Sequence, residues 1–227
     1  MKIGLLLAGH LAETLVDTYG DYDRLYPELL KNQGFDFVSY PVVDGIFPDG
    51  PDAADGWLIS GSRHGAYEDH DWIPQLEMLI RDIHDSGVPL VGICFGHQII
   101  AQALGGTVEK FSGGWAVGPT DYTEGDGTLT LNAWHQDQVT RRPDSARLMA
   151  SNAFCENAML AYGDRVWTIQ AHPEFENGFV NDLMVARGRG IVPGPILDAA
   201  EARLSDPVDN DTIAERIGTF FRAARTS

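Results

Sequence analysis

The residues best suited to do chemistry are Cys94 and, further along the chain, His172 with Glu174. Cys94 lies in Gly92-Ile-Cys94-Phe-Gly96, directly after the apolar run Pro89–Ile93. A Gly-x-nucleophile-x-Gly turn between a buried strand and a helix is the nucleophile-elbow pattern, here with a thiol in place of a hydroxyl. The glycines supply space, because side chains at either position would collide with the neighbouring strand or helix. Such a turn lifts the sulfur above the C-terminal edge of the sheet, where ligands of open α/β sheets bind. The helix that follows points its N-terminus at the sulfur and favours thiolate over thiol. The amide N–H of Phe95, the next residue, is then aimed to bind an oxyanion. A free cysteine is often just a small buried residue. The strand before and the helix after Cys94 are the context that favours the elbow.

A thiol nucleophile needs a base. Seven histidines compete, and His172 is favoured by its setting in Trp167-Thr-Ile-Gln-Ala-His-Pro-Glu174. An apolar strand delivers it to the same C-terminal edge, and Pro173, with no N–H, stops the ladder there. Glu174 can hold the second imidazole nitrogen and fix tautomer and orientation.

Gly-Ile-Cys-Phe-Gly-His-Gln98, followed by Gln170-Ala-His-Pro-Glu174, resembles the class I (triad) glutamine amidotransferase domain over nearly the whole chain. The resemblance implies a flavodoxin-like sheet and a Cys-His-Glu triad carried onto Cys94, His172 and Glu174. It implies a glutamyl thioester intermediate that water hydrolyses. It also implies an oxyanion hole with two backbone donors, Phe95 and a glycine after the third strand. In Ile59-Ser-Gly-Ser-Arg63 that glycine is Gly61. Gln98 matches the family position that helps hold the glutamyl group. Two departures could reshape the pocket without removing a reacting group. The glycine loop reads Ser60-Gly-Ser-Arg where Ser-Gly-Gly-Pro is common, and Ala171 stands before the histidine where Gly or Phe is common. The finer resemblance is to stand-alone members of the GMP-synthase-like branch, which include γ-glutamyl peptidases. It rests on Ser60-Gly-Ser with Asp71-Trp-Ile, Ser112-Gly-Gly-Trp115 and Trp134-His-Gln-Asp-Gln-Val139.

These groups need elements to carry them. Lys2–Ala8, Phe35–Val42, Trp57–Ile59 and Pro89–Ile93 read as strands. Tyr22, Leu25, Tyr26, Leu29 and Leu30 repeat at helical spacing before Gly34. Ile73, Leu76, Leu79, Ile80 and Ile83 give a second helix face, with Asp71 placed to cap it and Gly87 to end it. A helix over 97–104 follows the elbow. This order predicts an α/β fold, a doubly wound, mainly parallel sheet with helices on both faces. From Thr107 to Trp134 alternation and Gly-rich breaks predict a small antiparallel extension. Val166–Gln170 returns to the main sheet, and 211–224 forms a closing helix. With no repeat, low-complexity tract or linker, residues 1–227 read as a single domain.

The net charge of −17 argues against nucleic acid and against anionic membrane surfaces. No apolar run is long enough to span a bilayer. The start, 1–9, reads as a buried first strand rather than a signal peptide, since no small-residue cleavage site follows. Two distant cysteines form no disulfide framework, so a cytoplasmic location is the default. Cys155 lacks any elbow and reads as structural.

Trp115, in a Gly-rich turn, can line a pocket or cap the edge of the core. His135 with Asp137 is too small a set for a metal cage and reads as structural or pocket-lining. Glu68-Asp69-His70-Asp71 reads as a solvated loop and helix cap. No metal site is therefore expected. Neither a Gly-x-x-x-x-Gly-Lys-Ser/Thr loop nor a Gly-x-Gly-x-x-Gly fingerprint occurs, so no nucleotide cofactor is expected. The expected reaction is hydrolysis of a small-molecule γ-glutamyl amide. The alternatives are a glutaminase subunit serving a separate synthetase, and an idle binding domain of the same fold.

Overall fold

A computed structural model describes residues 1–225. The first half alternates strand and helix: β1 (Lys2–Leu6), α1 (Glu13–Tyr19), α2 (Tyr22–Leu29), β2 (Asp36–Tyr40), β3 (Gly56–Ile59), α3 (Trp72–Ser86), β4 (Leu90–Ile93) and α4 (Phe95–Ala103). A strand-rich stretch follows with β5 (Thr107–Lys110), β6 (Ala116–Glu124), β7 (Gly127–His135), β8 (Asp137–Arg141), β9 (Ala146–Ala150), β10 (Met159–Tyr162) and β11 (Val166–Ile169). Helices α5 (Asn177–Leu183), α6 (Gly194–Glu201) and α7 (Asn210–Arg225) complete the order.

The main sheet runs β2-β1-β3-β4-β11-β10-β9. The first five strands are mutually parallel, while β10 and β9 are antiparallel additions at one edge. Its central strands are buried on both faces, as a sheet covered by helices on each side requires. One core layer joins Ile3, Leu5 and Val91 to Tyr26 of α2, Phe179 of α5 and Ile217 and Phe221 of α7. The other joins Trp57 and Ile59 to Leu76, Ile80 and Ile83 of α3 and Ile99 and Ile100 of α4. The doubly wound α/β architecture expected from the sequence is present. No helix among the described residues is long and apolar enough to cross a membrane.

Several local expectations need correction. The antiparallel extension is two separate pairs, the β6–β7 hairpin and β5 with β8. The antiparallel edge β10–β9 of the main sheet was not anticipated. Asp71 makes no side-chain cap; it already has helical backbone angles, and its carbonyl accepts from Gln75. Gly34 closes a 3₁₀ turn over Lys31–Gln33 rather than α2 itself. Gly87 ends α3 in the left-handed conformation, as expected.

Candidate active site

Cys94 occupies the one-residue gap between β4 and α4. Its φ of 53° and ψ of −103° make it the one non-glycine residue with positive φ among the described residues. Such a conformation persists only where its surroundings over-determine it. The flanking glycines show how. A Cβ at Gly92 would stand 2.5 Å from the Gly96 carbonyl oxygen, and a Cβ at Gly96 would stand 2.4 Å from that of Ile59. Helix α4 can therefore press against the sheet only with glycine at both positions, and that closeness forces the turn. The Cys94 amide donates to the Ile169 carbonyl at 2.8 Å, which ties the elbow to β11.

Strand β11 lies parallel to β4, with Ile169 opposite Ile93. The segments that follow the two strands thus emerge at the same sheet edge. His172 is fixed there by its N–H donating to the Asn132 carbonyl at 2.8 Å. Its ring stacks on Phe175 at 4.1 Å and 4°. Nδ1 donates to Glu174 Oε1 at 2.7 Å. His172 Nε2 is buried with no hydrogen-bond partner. Both side chains are nearly inaccessible, 3% and 0% exposed. Burial alone would lower the imidazole. A thiolate at Cys94 and the carboxylate of Glu174 outweigh it and raise His172 to about 10. This arrangement can hold an imidazolium beside the sulfur and deliver its proton from Nε2.

Glu174 Oε1 also accepts from the Tyr26 hydroxyl at 3.1 Å. That hydroxyl in turn accepts the Gly61 N–H at 3.2 Å. The Gly61 N–H, expected to face an oxyanion, is thus directed at the Tyr26 hydroxyl inside the core. Gly61 instead gives His172 room, since a Cβ there would meet His172 Cε1 at 3.0 Å. The next residue of the loop, Ser62, lines the cleft with Cys94.

That cleft holds about 230 Å³ and is walled by Cys94, Gln98, Trp115, Trp134 and His135, with Arg63, Glu68, Lys110 and Asp137 among its other lining residues. The three expected substrate-side residues are thus brought together. Gln98 Nε2 is already committed, donating to the Asp137 carbonyl at 2.8 Å and to Gln170 Oε1 at 3.1 Å. Trp115 lines the cleft and also packs at 6.1 Å on Trp134 against the core. His135 donates from Nδ1 to the Asp137 carbonyl at 3.2 Å, and its Nε2 is buried without a partner. Burial drives His135 down to about 4, so it is neutral.

Sequence reasoning missed Tyr26, whose helical spacing read only as core, and Gln170, whose amide donates to Cys94 Sγ at 3.7 Å. Gln170 could have been found from its place two residues before His172 on the same strand end. The rim charges Arg63 and Lys110 carried no local pattern. Cys155 is buried, and burial pushes its thiol up to about 12, which leaves it protonated and fits a structural residue.

The glutamine amidotransferase class-I family profile matches residues 14–187. The chain is 36% identical over 199 residues to gamma-glutamyl peptidase 4 of Arabidopsis thaliana, covering 81% of this chain and 79% of that protein. It is 34% identical over 186 residues to the glutamine-hydrolyzing GMP synthase of Bordetella parapertussis, covering 70% of this chain and 34% of that protein. A glutamine amidotransferase structure from Thermotoga maritima superposes with a TM-score of 0.75 at 18% identity, covering 100% of this chain and 99% of that one; the likeness concerns the fold. By profile and by relatives alike, the protein belongs to the class I glutamine amidotransferase family.

Proposed function

We propose that this class I amidotransferase-type enzyme hydrolyses the γ-glutamyl amide bond of a small molecule, with Cys94 as nucleophile, His172 as acid and base and Glu174 as the group that orients His172. The observation that carries the reading is His172 itself. It is buried and locked through Nδ1 to Glu174, and its Nε2 has no partner at the sheet edge that holds Cys94.

The steps follow from these groups. The Cys94 thiolate attacks the γ-carbonyl, and the carbonyl π electrons move to oxygen. The oxyanion is received by the amide N–H groups of Phe95, at the start of α4, and Ser62. Collapse of the intermediate expels the amine, which takes its proton from His172 Nε2. The glutamyl group remains on sulfur as a thioester. Neutral His172 then removes a proton from water, the resulting hydroxide attacks the thioester carbonyl, and the C–S bond breaks to release glutamate and return the Cys94 thiolate beside the His172 imidazolium. Glu174 holds one tautomer throughout and stabilises the imidazolium.

Two observations support a substrate larger than glutamine. A relative that matches 81% of the chain at 36% identity is named a gamma-glutamyl peptidase. Beyond the cleft lies a cavity of about 840 Å³ that shares Arg63 and His64 with it, enough room for a departing amine of peptide size. The ammonia-donor reading is favoured by the GMP synthase relative, of which the match covers 34%. The cleft lining, however, is charged at Arg63, Glu68, Lys110 and Asp137, whereas a docking surface for a synthetase calls for an apolar patch. Glutamate release by the purified protein, from glutamine and from a panel of γ-glutamyl amides and peptides including glutathione, tests the choice. Turnover of a γ-glutamyl peptide with glutamine poor is the expected result. Glutamine as the sole good substrate would overturn the peptidase reading, and no release from any of them would overturn the stand-alone one.

A further inference from the structure

We propose that His64, Glu68 and His70 form a binding site for a divalent transition-metal ion of the zinc type at the rim of the cleft. Their ligand atoms all lie within 4.8 Å of one another. His64 Nδ1 and His70 Nε2 both point at a single carboxylate oxygen, Glu68 Oε2, at 3.1 and 2.9 Å. Two imidazoles and one carboxylate suit zinc in both donor type and number. Metal–ligand bonds of about 2.0–2.1 Å in a tetrahedron place ligand atoms about 3.3 Å apart. The two observed separations are already close to that figure, and the set closes around an ion by small side-chain rotations. Each imidazole then carries its proton on the other nitrogen and turns its lone pair to the metal.

The ligands are held in advance. The turn that carries them is fixed by the Glu68 N–H donating to the Gly65 carbonyl at 3.0 Å and the His70 N–H donating to the Glu68 carbonyl at 3.1 Å. The His64 N–H donates to Ser62 Oγ at 3.0 Å. The two rings sit 4.4 Å apart, and Trp72 backs both, stacked on His70 at 6.1 Å and edge-on to His64 at 6.0 Å. Ligands ordered before binding reduce its entropic cost. The side chains are 19%, 41% and 36% exposed in chain order, so an ion can reach them from solvent. The strongly negative protein favours cation approach.

Placement gives the site a consequence. His64 and Glu68 line the Cys94 cleft, while His64 and His70 line the larger cavity beside it. Three protein ligands leave a fourth position open, as in zinc sites that bind an exchangeable water or ligand. The ion therefore stands in the wall that a substrate passes on its way to the cleft.

The test reads binding and no turnover, so its outcome is independent of the hydrolase reading. A Cys94→Ser protein, which removes the cleft sulfur as a ligand, is titrated with Co²⁺ while visible d–d absorption is followed, and with Zn²⁺ by calorimetry. The same titrations are made with His70→Ala and Glu68→Gln added, after circular dichroism confirms the fold. One equivalent of Co²⁺ should give bands that Zn²⁺ abolishes, and each added substitution should weaken binding at least tenfold. Absence of bands and heat up to millimolar metal, or binding unchanged in both variants, would overturn the proposal.

Discussion

The Tyr26 hydroxyl donates to Glu174 Oε1 across 148 residues of sequence, at 3.1 Å in the buried core. The same carboxylate oxygen accepts a hydrogen bond from His172 Nδ1 at 2.7 Å, and the same hydroxyl accepts the Gly61 N–H. The glycine loop and the His172–Glu174 pair therefore share one hinge point. In the proposed mechanism the loop amide that follows Gly61 receives the oxyanion while Glu174 steadies the imidazolium, so a tyrosine on α2 positions both without touching substrate.

Tyr26→Phe should expose that coupling. The substitution strands the Gly61 N–H and removes one donor from Glu174, at a stability cost of about 1–3 kcal/mol. In steady-state assays kcat should fall about tenfold with KM little changed. A variant that loses stability with kcat intact would confine Tyr26 to a packing role.

Glu174→Gln should lower the alkaline limb of the activity profile. Glu174 is one of the charges that raise His172 to about 10, and its amide analogue carries no charge. His172 then loses its proton at lower pH, and kcat drops by about 10²–10⁴. A kcat profile measured between pH 6 and pH 11 checks both effects; an unshifted limb would assign that titration to another group.

Cys94→Ala and Cys94→Gly should both abolish glutamate release while differing in stability. Both lack the sulfur, but glycine adopts φ of 53° without the strain alanine carries there. The glycine variant should be the more stable of the two by about 1–2 kcal/mol in urea denaturation. Equal stabilities would show that the turn holds no strain.

Stability should peak near pH 6.5 if the buried histidines govern it. His97 and His135 are pushed by burial to about 3 and about 4, below the ordinary 6.5. Both stay neutral in the folded protein, and their contribution, present above pH 6.5, is lost as pH falls toward those values. His172 has the opposite sign. Its folded value of about 10 lies above 6.5, so its contribution is full below pH 6.5 and lost as pH rises through 10. Each group changes the unfolding free energy by at most about 1.4 kcal/mol per pH unit within its window. Urea midpoints from pH 4.5 to pH 9 read both slopes, and a Glu174→Gln protein should flatten the alkaline one.

The sequence by itself determined the parts built from neighbours in the chain. The glycines around Cys94 announce a turn in which only they have room, and the order of strands and helices predicts the parallel sheet. Two apolar strands that lead into Cys94 and His172 place them at one edge, because parallel neighbours share their direction. Tertiary structure alone decided where hydrogen bonds between distant segments go. Gly61 carries the right residue type in the right loop, yet its N–H is turned to Tyr26 by packing of α2 that no local pattern records. The run Glu68–Asp71 read as a solvated loop because His64 lies outside it, and only the turn at Gly65 folds that imidazole back onto Glu68. Local space and periodicity act between residues close in the chain, whereas the direction of a buried N–H or a ring nitrogen is set by whichever distant element packs against it.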